Sequence, residues 1–305
     1  MNPITRRQFM QYSALAVSAL SAHPSAANRN RLPIGFSTLG CPKWDWIKIL
    51  DFAHHNGFAA VELRGLLGTM DLPTCPEFAP DRISATRQDV AARGLHISCV
   101  SSSANMHDTD PHKHEQQLAD ARRFIDLASA LNAPYVRVFG NNIIGARQQV
   151  IDHVAKSLRE LADYARPRQV KVLIESHGDF VDSSTLGTVL DKADSPHVGL
   201  LWDANHTYVD GKEDPVFTVS RLGTYIGHTH LKDSRGEGDD VHYVLTGRGE
   251  VPVRRQMQLL AQNGYQGYYS FEWEKVWHPE LEEPEIAFPD FAQAATQYLK
   301  EAGFK

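Results

Sequence analysis

Four segments in the second half of the chain set carboxylates and imidazoles behind apolar runs. They read Ile174-Glu175-Ser176-His177, Trp202-Asp203-Ala204-Asn205-His206, His228-Thr229-His230-Leu231-Lys232-Asp233 and Ser270-Phe271-Glu272-Trp273-Glu274. If each run is a β-strand, residues two apart share a face. Glu175 then points with His177, His228 with His230 and Lys232, and Ser270 with Glu272 and Glu274. Carboxylates gathered at one mouth repel one another, and an unpaired buried charge costs roughly several kcal/mol. A divalent cation resolves that repulsion, and the chemistry it offers is Lewis-acid work. Each residue also has a plainer use as an ion pair or cap. Lys232 and Asp233 can steady a loop, His228 can fill the barrel as a hydrogen-bonded side chain, and Glu274 can face solvent past the strand end. His228 and His230 share a face, so spacing leaves open which of them is the ligand.

These residues need elements that bring four strand ends together. From residue 32 onward, short apolar runs alternate with longer amphipathic ones. The runs at 34–38, 59–63, 96–101, 135–139, 170–175, 198–203, 226–230 and 268–272 have strand length and are rich in β-branched or aromatic residues. Helical patterns fill 45–56, 81–93, 112–131, 148–165, 184–193, 214–222, 253–263 and 289–302, with Gly57 and Gly94 as stop signals for the first two. Eight β-then-α units predict an α/β protein, a single-domain (β/α)8 TIM barrel over 28–305. A doubly wound open sheet is the weaker alternative, because no Gly-rich dinucleotide loop follows the first strand. In such a barrel the active site lies at the C-terminal ends of the strands, where the four segments end.

The rest of the chain bounds the partners. Of 305 residues, 42% are hydrophobic and 22% charged, enough to bury a core. The net charge is −6 and no Lys/Arg-rich run occurs, so a nucleic-acid partner is not expected and a small molecule is. Thr5-Arg6-Arg7-Gln8-Phe9-Met10, an uncharged apolar stretch over 12–22, and Pro24-Ser25-Ala26-Ala27 follow the order of a signal peptide. The arginine pair makes 1–27 resemble a twin-arginine signal, and the expected destination is the periplasm. The apolar stretch falls well short of the roughly 20 residues a transmembrane helix needs, so no stable membrane anchor is expected after cleavage. Cys41, Cys75 and Cys99 form no metal-binding spacing and read as buried thiols. In an exported protein Cys41 and Cys75 could instead pair, leaving Cys99 over.

In this order and spacing, Glu175, Asp203-Ala204-Asn205-His206, His230-Leu231-Lys232-Asp233, Tyr269-Ser270-Phe271-Glu272 and the loop Leu245-Thr246-Gly247-Arg248-Gly249-Glu250-Val251 resemble the sugar phosphate isomerase/epimerase families of the xylose-isomerase-like superfamily. The resemblance implies Glu175, Asp203, His230 and Glu272 as ligands of one divalent ion, with Glu175 and Glu272 exchanging a proton. It implies His206 and Arg235 as substrate-binding residues; Arg64 and His177 are further candidates. Three oxygen donors and one imidazole suit Mn2+ or Mg2+; the resemblance implies Mn2+ first, with Co2+, Mg2+ and Zn2+ as alternatives. The expected reaction is isomerisation or epimerisation of an unphosphorylated sugar or keto-sugar through an enediolate. A lyase or dehydratase acting on a keto-sugar, cyclitol or keto-glycoside keeps the same ligands, and a non-catalytic sugar-binding barrel is the reading from another class. Type IV apurinic endonucleases share the fold, but strand two here ends Glu62-Leu63-Arg64 without their early histidine, and Asp240-Val241-His242 reads as a loop. A homo-oligomer is compatible with all of these readings.

Overall fold

Strand-length apolar runs cannot bury both faces unless helices cover one and a closed sheet encloses the other, and the chain adopts that solution. The computed structural model describes residues 31–304. The signal segment expected over 1–27 lies outside them. The strands are β1 (Ile34–Ser37), β2 (Ala60–Leu63), β3 (His96–Asn105), β4 (Tyr135–Asn141), β5 (Lys171–Gly178), β6 (Val198–Asp203), β7 (Ile226–His230), β8 (Asp233–Arg235), β9 (His242–Val244) and β10 (Tyr269–Phe271). Eight of them form one parallel sheet in the order β10-β1-β2-β3-β4-β5-β6-β7. The eight expected strands are all present, and the fold is a single-domain (β/α)8 barrel.

The seam between β7 and β10 is closed by a few bonds. Leu231 N–H donates to Ser270 O at 2.8 Å and Glu272 N–H to Leu231 O at 3.2 Å. The Thr229 hydroxyl donates to Tyr268 O at 3.1 Å, doing there what a ladder N–H does elsewhere. Both metal-type strand ends at the seam, those carrying His230 and Glu272, are thus tied to each other.

Helices α1 (Trp46–His55), α2 (Ile83–Ala92), α3 (Pro111–Ala130), α4 (Arg147–Ala165), α5 (Ser183–Ala193), α6 (Ala204–Val209), α7 (Pro215–Leu222), α8 (Val253–Gln262) and α9 (Pro284–Glu301) complete the chain. Their starts follow capping chemistry. Asp45, Asp110 and Asp182 each accept a backbone N–H from the first turn of α1, α3 and α5. Helix α9 starts at Pro284 instead of at Pro289, because Pro284 supplies the preset φ of a first helical residue. Pro289 lies inside it and forfeits one backbone bond. Two features escape the sequence pattern: α6, a single short helix directly after β6, and an antiparallel hairpin pairing β8 with β9.

Phe36, Ile49, Leu50, Val61, Phe288 and Phe291 are among the residues packed between sheet and helices, each burial stabilising by roughly 1.5–3 kcal/mol. A second, small cluster of Cys99, Leu173 and Leu201, with Tyr135 against it, fills the barrel itself. Each of these four stands two residues before a polar one: Ser101, Glu175, Asp203 and Arg137. Moving up the interior, one step along each strand changes the filling from apolar to ionised. All three cysteines are free and buried, so the alternative Cys41–Cys75 disulfide does not form. Trp44 and Trp46 belong to the core, while Trp277 is exposed. Among the described residues no helix is long and apolar enough to cross a membrane.

Candidate metal centre

Glu175 leaves β5, Asp203 ends β6, His230 ends β7 and Glu272 follows β10, and all four are buried. One donor atom from each lies within 4.8 Å of the others. His230 Nδ1 sits 3.2 Å from Glu272 Oε1, 3.5 Å from Glu175 Oε1 and 3.8 Å from Asp203 Oδ2. The second oxygen of each carboxylate has its own partner. Asp203 Oδ1 accepts the N–H groups of Asn205 and His206, so the aspartate also caps α6. Glu175 Oε2 lies 3.0 Å from Arg137 Nε. Glu272 Oε2 accepts from Lys232 Nζ at 2.5 Å. Glu175 and Glu272 are each held at Oε2 and turn Oε1 toward His230 Nδ1, whereas both oxygens of Asp203 are engaged, Oδ2 by Lys232 Nζ.

A second buried group, which the sequence reading missed, orients the histidine. Glu62, wholly buried on β2, accepts from His230 Nε2 at 2.8 Å and from His228 Nε2 at 3.1 Å. With Nε2 thus protonated, Nδ1 of His230 turns its lone pair toward the three carboxylates. Of the pair left open by spacing, His230 meets the carboxylate cluster and His228 stops at Glu62. The signal for Glu62 was present, since it falls on the inward parity of β2, but a lone acid on a four-residue strand gives no hint of partners across the barrel. Outer residues that fix a ligand imidazole commonly set metal affinity by about 10–100-fold. Glu62→Gln is therefore expected to weaken Mn2+ binding by roughly that factor. Calorimetric titration checks it, and an unaltered affinity would remove Glu62 from the site.

The charge balance favours a cation. Five buried carboxylates, Glu62, Glu175, Asp203, Glu272 and Glu274, face three buried cations, Arg64, Arg137 and Lys232. The carboxylates outnumber the permanent cations, and a divalent ion offsets that excess. Without it, burial alone would lower the His230 pKa, but Glu272, Glu62 and Glu175 hold it well above its ordinary value. Burial would raise Glu175, yet Arg137 and His230 bring it down to about 2. Likewise His230 and Lys232 override burial and hold Glu272 well below the usual carboxylate range. His230 Nδ1 and Glu175 Oε2 have no hydrogen-bond partner. A buried polar atom in that state is costly, and His230 Nδ1, which faces the three carboxylates, suits a metal ligand.

Lys232 and Glu274 depart from their plainer readings. Lys232 Nζ donates to Asp203 Oδ2 at 2.6 Å and to Glu274 Oε1 at 2.8 Å as well as to Glu272. It does not pair with Asp233, whose carboxylate accepts the N–H groups of Gly247, Gly249 and Val251 and so pins the loop between β9 and α8. Glu274 is buried against Lys232 and does not face solvent.

The candidate substrate residues divide. His206, on α6, has Nδ1 2.8 Å from Asp210 Oδ2 and Nε2 3.6 Å from Asp203 Oδ2. Burial opposes its charge, but Asp203 and Asp210 raise its pKa to about 9. Its ring meets His177 edge to face at 5.1 Å. His177 Nδ1 donates to Asn141 Oδ1 at 2.9 Å, and burial lowers its pKa. The strand-end clamp behind this bond requires Gly178, which has φ +61° and lies so close to Asn141 O that no side chain fits. Arg64 is buried at the end of β2. Arg235 is a correction: β8 turns it outward, where it is exposed and its guanidinium donates to Arg248 O at 2.7 Å. The cause is the unforeseen hairpin, which redirects the chain three residues after His230. Arg137 was missed altogether. It is 1% exposed and stacks on Phe139 at 3.9 Å; its sign in the sequence was a charged residue at an inward position of a short apolar strand. His242 is exposed but opens β9, paired with Arg235, so the loop reading of Asp240-Val241-His242 does not hold at its last residue.

The strand ends of this (β/α)8 barrel converge on three carboxylates and one imidazole. The chain belongs to the xylose isomerase-like TIM barrel family, whose pattern matches residues 50–298. It is 26% identical over 176 residues to fructoselysine 3-epimerase of Shigella flexneri, a match covering 55% of this chain and 62% of that enzyme. It is 23% identical to inosose dehydratase of Clostridium botulinum over 90% of this chain and 98% of that one. Its fold superimposes on the IolI protein, solved with a zinc atom bound, with a TM-score of 0.72 at 15% identity, over 89% of this chain and 98% of that chain.

Proposed function

We propose that this chain is a divalent-metal-dependent enzyme that moves a proton next to the carbonyl of an unphosphorylated sugar or keto-sugar, giving isomerisation or epimerisation, with Mn2+ as the ion. The observation that carries this reading is the convergence of Glu175, Asp203, His230 and Glu272 within 4.8 Å, with an orphaned imidazole nitrogen among them. The relatives that transform sugars support it. A divalent ion held there supplies Lewis-acid stabilisation of the negative charge that develops as the carbon loses its proton.

The chain's own residues do the rest. Glu175 and Glu272 stand on different strands with one oxygen each toward the cluster, so one accepts the proton and the other returns it. Return to the opposite face of the same carbon gives the epimer, and return to the neighbouring carbon gives the isomer. Both carboxylates have lowered proton affinity, which makes them weak bases. Arg137 and Lys232 keep the two from turning away. Burial of the whole cluster excludes water from the proton in transit.

A second reading is supported by His206. Held as an imidazolium by Asp203 and Asp210, it carries a proton beside the cluster and can deliver it to a departing hydroxyl. The reaction then becomes a dehydration, in line with the dehydratase relative that matches along nearly its whole length.

The test is metal analysis of the purified protein, followed by incubation of a keto-sugar and inosose panel in deuterated water. About one Mn per chain, with deuterium entering beside a carbonyl, is the expected result. Loss of water from the labelled product would favour the dehydratase. Absence of metal after reconstitution, or no exchange on any member with the ion bound, would overturn the enzymatic reading in favour of a sugar-binding barrel.

A further inference from the structure

Two guanidinium groups beside the carboxylate cluster are poorly partnered: that of Arg137 is deeply buried with two nitrogens lacking a hydrogen-bond partner, and that of Arg64 has one weak contact. Arg64 follows β2 at the mouth of the barrel, where its backbone N–H donates to the Thr38 hydroxyl at 2.9 Å. It is 6% exposed. Its guanidinium has a single polar neighbour, the Met70 thioether sulfur at 3.6 Å, and no ion-pair partner among the described residues. Arg137, more deeply buried, lies flat on Phe139. Its Nε approaches Glu175 Oε2 at 3.0 Å without hydrogen-bond geometry, and both Nε and Nη1 have no hydrogen-bond partner.

Arginine heads normally end in water or in carboxylates, and a buried unsatisfied donor costs about 1–3 kcal/mol, more for a charged one. A fold keeps such groups where a ligand completes them. We propose that Arg64 and Arg137 form an anion subsite next to the carboxylate cluster, and that the substrate carries a carboxylate there: a sugar acid or keto-acid, not a neutral sugar. This rests on the cluster being the catalytic centre, since the two arginines then flank the space the substrate occupies. Arg137 already faces Glu175, whereas Arg64 has no ion-pair partner among the described residues, and a planar guanidinium fork fits a planar carboxylate. Arg64 lies close enough to Arg137, Glu175 and Glu272 to feel their charges, and burial together with the Arg137 charge brings its pKa down to about 10. It still carries its charge at neutral pH.

The experiment is calorimetric binding to the Mn-loaded protein of matched pairs: glycerate against glycerol, gluconate against glucitol, glucuronate against glucose. At least one acid should bind tenfold or more tightly than its neutral partner. Arg64→Gln should remove most of that preference, Arg64→Lys should retain part of it, and neither should change the Mn content or the melting curve by much. Glycerol 3-phosphate and glucose 6-phosphate are run beside them, and a phosphate preferred over every carboxylate would overturn the carboxylate assignment. Acids that bind no better than their neutral partners, or an acid preference unchanged in Arg64→Gln, would overturn the subsite. Metal analysis of the same samples separates this from the proposed function. A wild-type protein without metal breaks the enzymatic reading, whereas a metal-loaded protein indifferent to carboxylates breaks only the inference.

Discussion

Glu272→Gln is expected to lose the bound ion and roughly a thousandfold or more of turnover. Lewis-acid stabilisation is worth several kcal/mol in the transition state, and each 1.36 kcal/mol is about a factor of ten. The substitution keeps the size of the side chain and removes its charge. Glu272 Oε1 is the oxygen nearest His230 Nδ1, at 3.2 Å, and Oε2 anchors Lys232 at 2.5 Å. A neutral amide serves both poorly: it binds a divalent ion weakly and no longer balances the ammonium. The measurements are the ion-to-protein ratio and the rate of solvent deuterium exchange on a responsive substrate, beside a melting curve showing that the variant folds. A variant that keeps both the ion and full turnover would remove Glu272 from the centre.

Lys232→Met carries the other large effect, on stability rather than on chemistry alone. Lys232 is wholly buried as a side chain and holds Asp203, Glu272 and Glu274 within 2.8 Å. Breaking a buried ion pair by deleting one partner costs about 3–5 kcal/mol, because the abandoned charges stay buried. Here three carboxylates are abandoned together. The metal-free variant should melt on the order of 10 °C below the metal-free wild type. Saturating Mn2+ should narrow that gap, since an ion that binds only the folded chain stabilises it by mass action. Differential scanning calorimetry with and without metal reads both numbers. Equal melting temperatures in the metal-free state would mean that the three carboxylates do not depend on Lys232.

The same geometry bears on how the site keeps its shape. Glu175 and Glu272 each spend one oxygen on a neighbouring cation, Asp203 is held at both oxygens, and His230 spends one nitrogen on Glu62. The donors are therefore aimed before any ion arrives, which is the condition for high affinity without reorganisation. The ring is drawn from β2, β4, β5, β6, β7 and the segment after β10, so it exists only when the barrel is closed at the Leu231 seam.

The sequence by itself determined what is periodic or local. Alternating apolar runs and capped helices specified eight βα units, and the parity of two along a strand placed Glu175 with His177, and His230 with Lys232, on inward faces. It also marked the four strand ends, because acids and histidines directly behind apolar runs are costly unless something pairs them. Only the tertiary structure decided how those ends are completed. Glu62 and His230 are 168 residues apart, and Arg137 and Glu175 belong to different strands. Nothing in either local pattern says which buried charge meets which. The choice of His230 over His228, the burial of Glu274 and the outward turn of Arg235 all follow from contacts made across the closed barrel, where Coulomb and desolvation energies depend on distance in space and not on spacing along the chain.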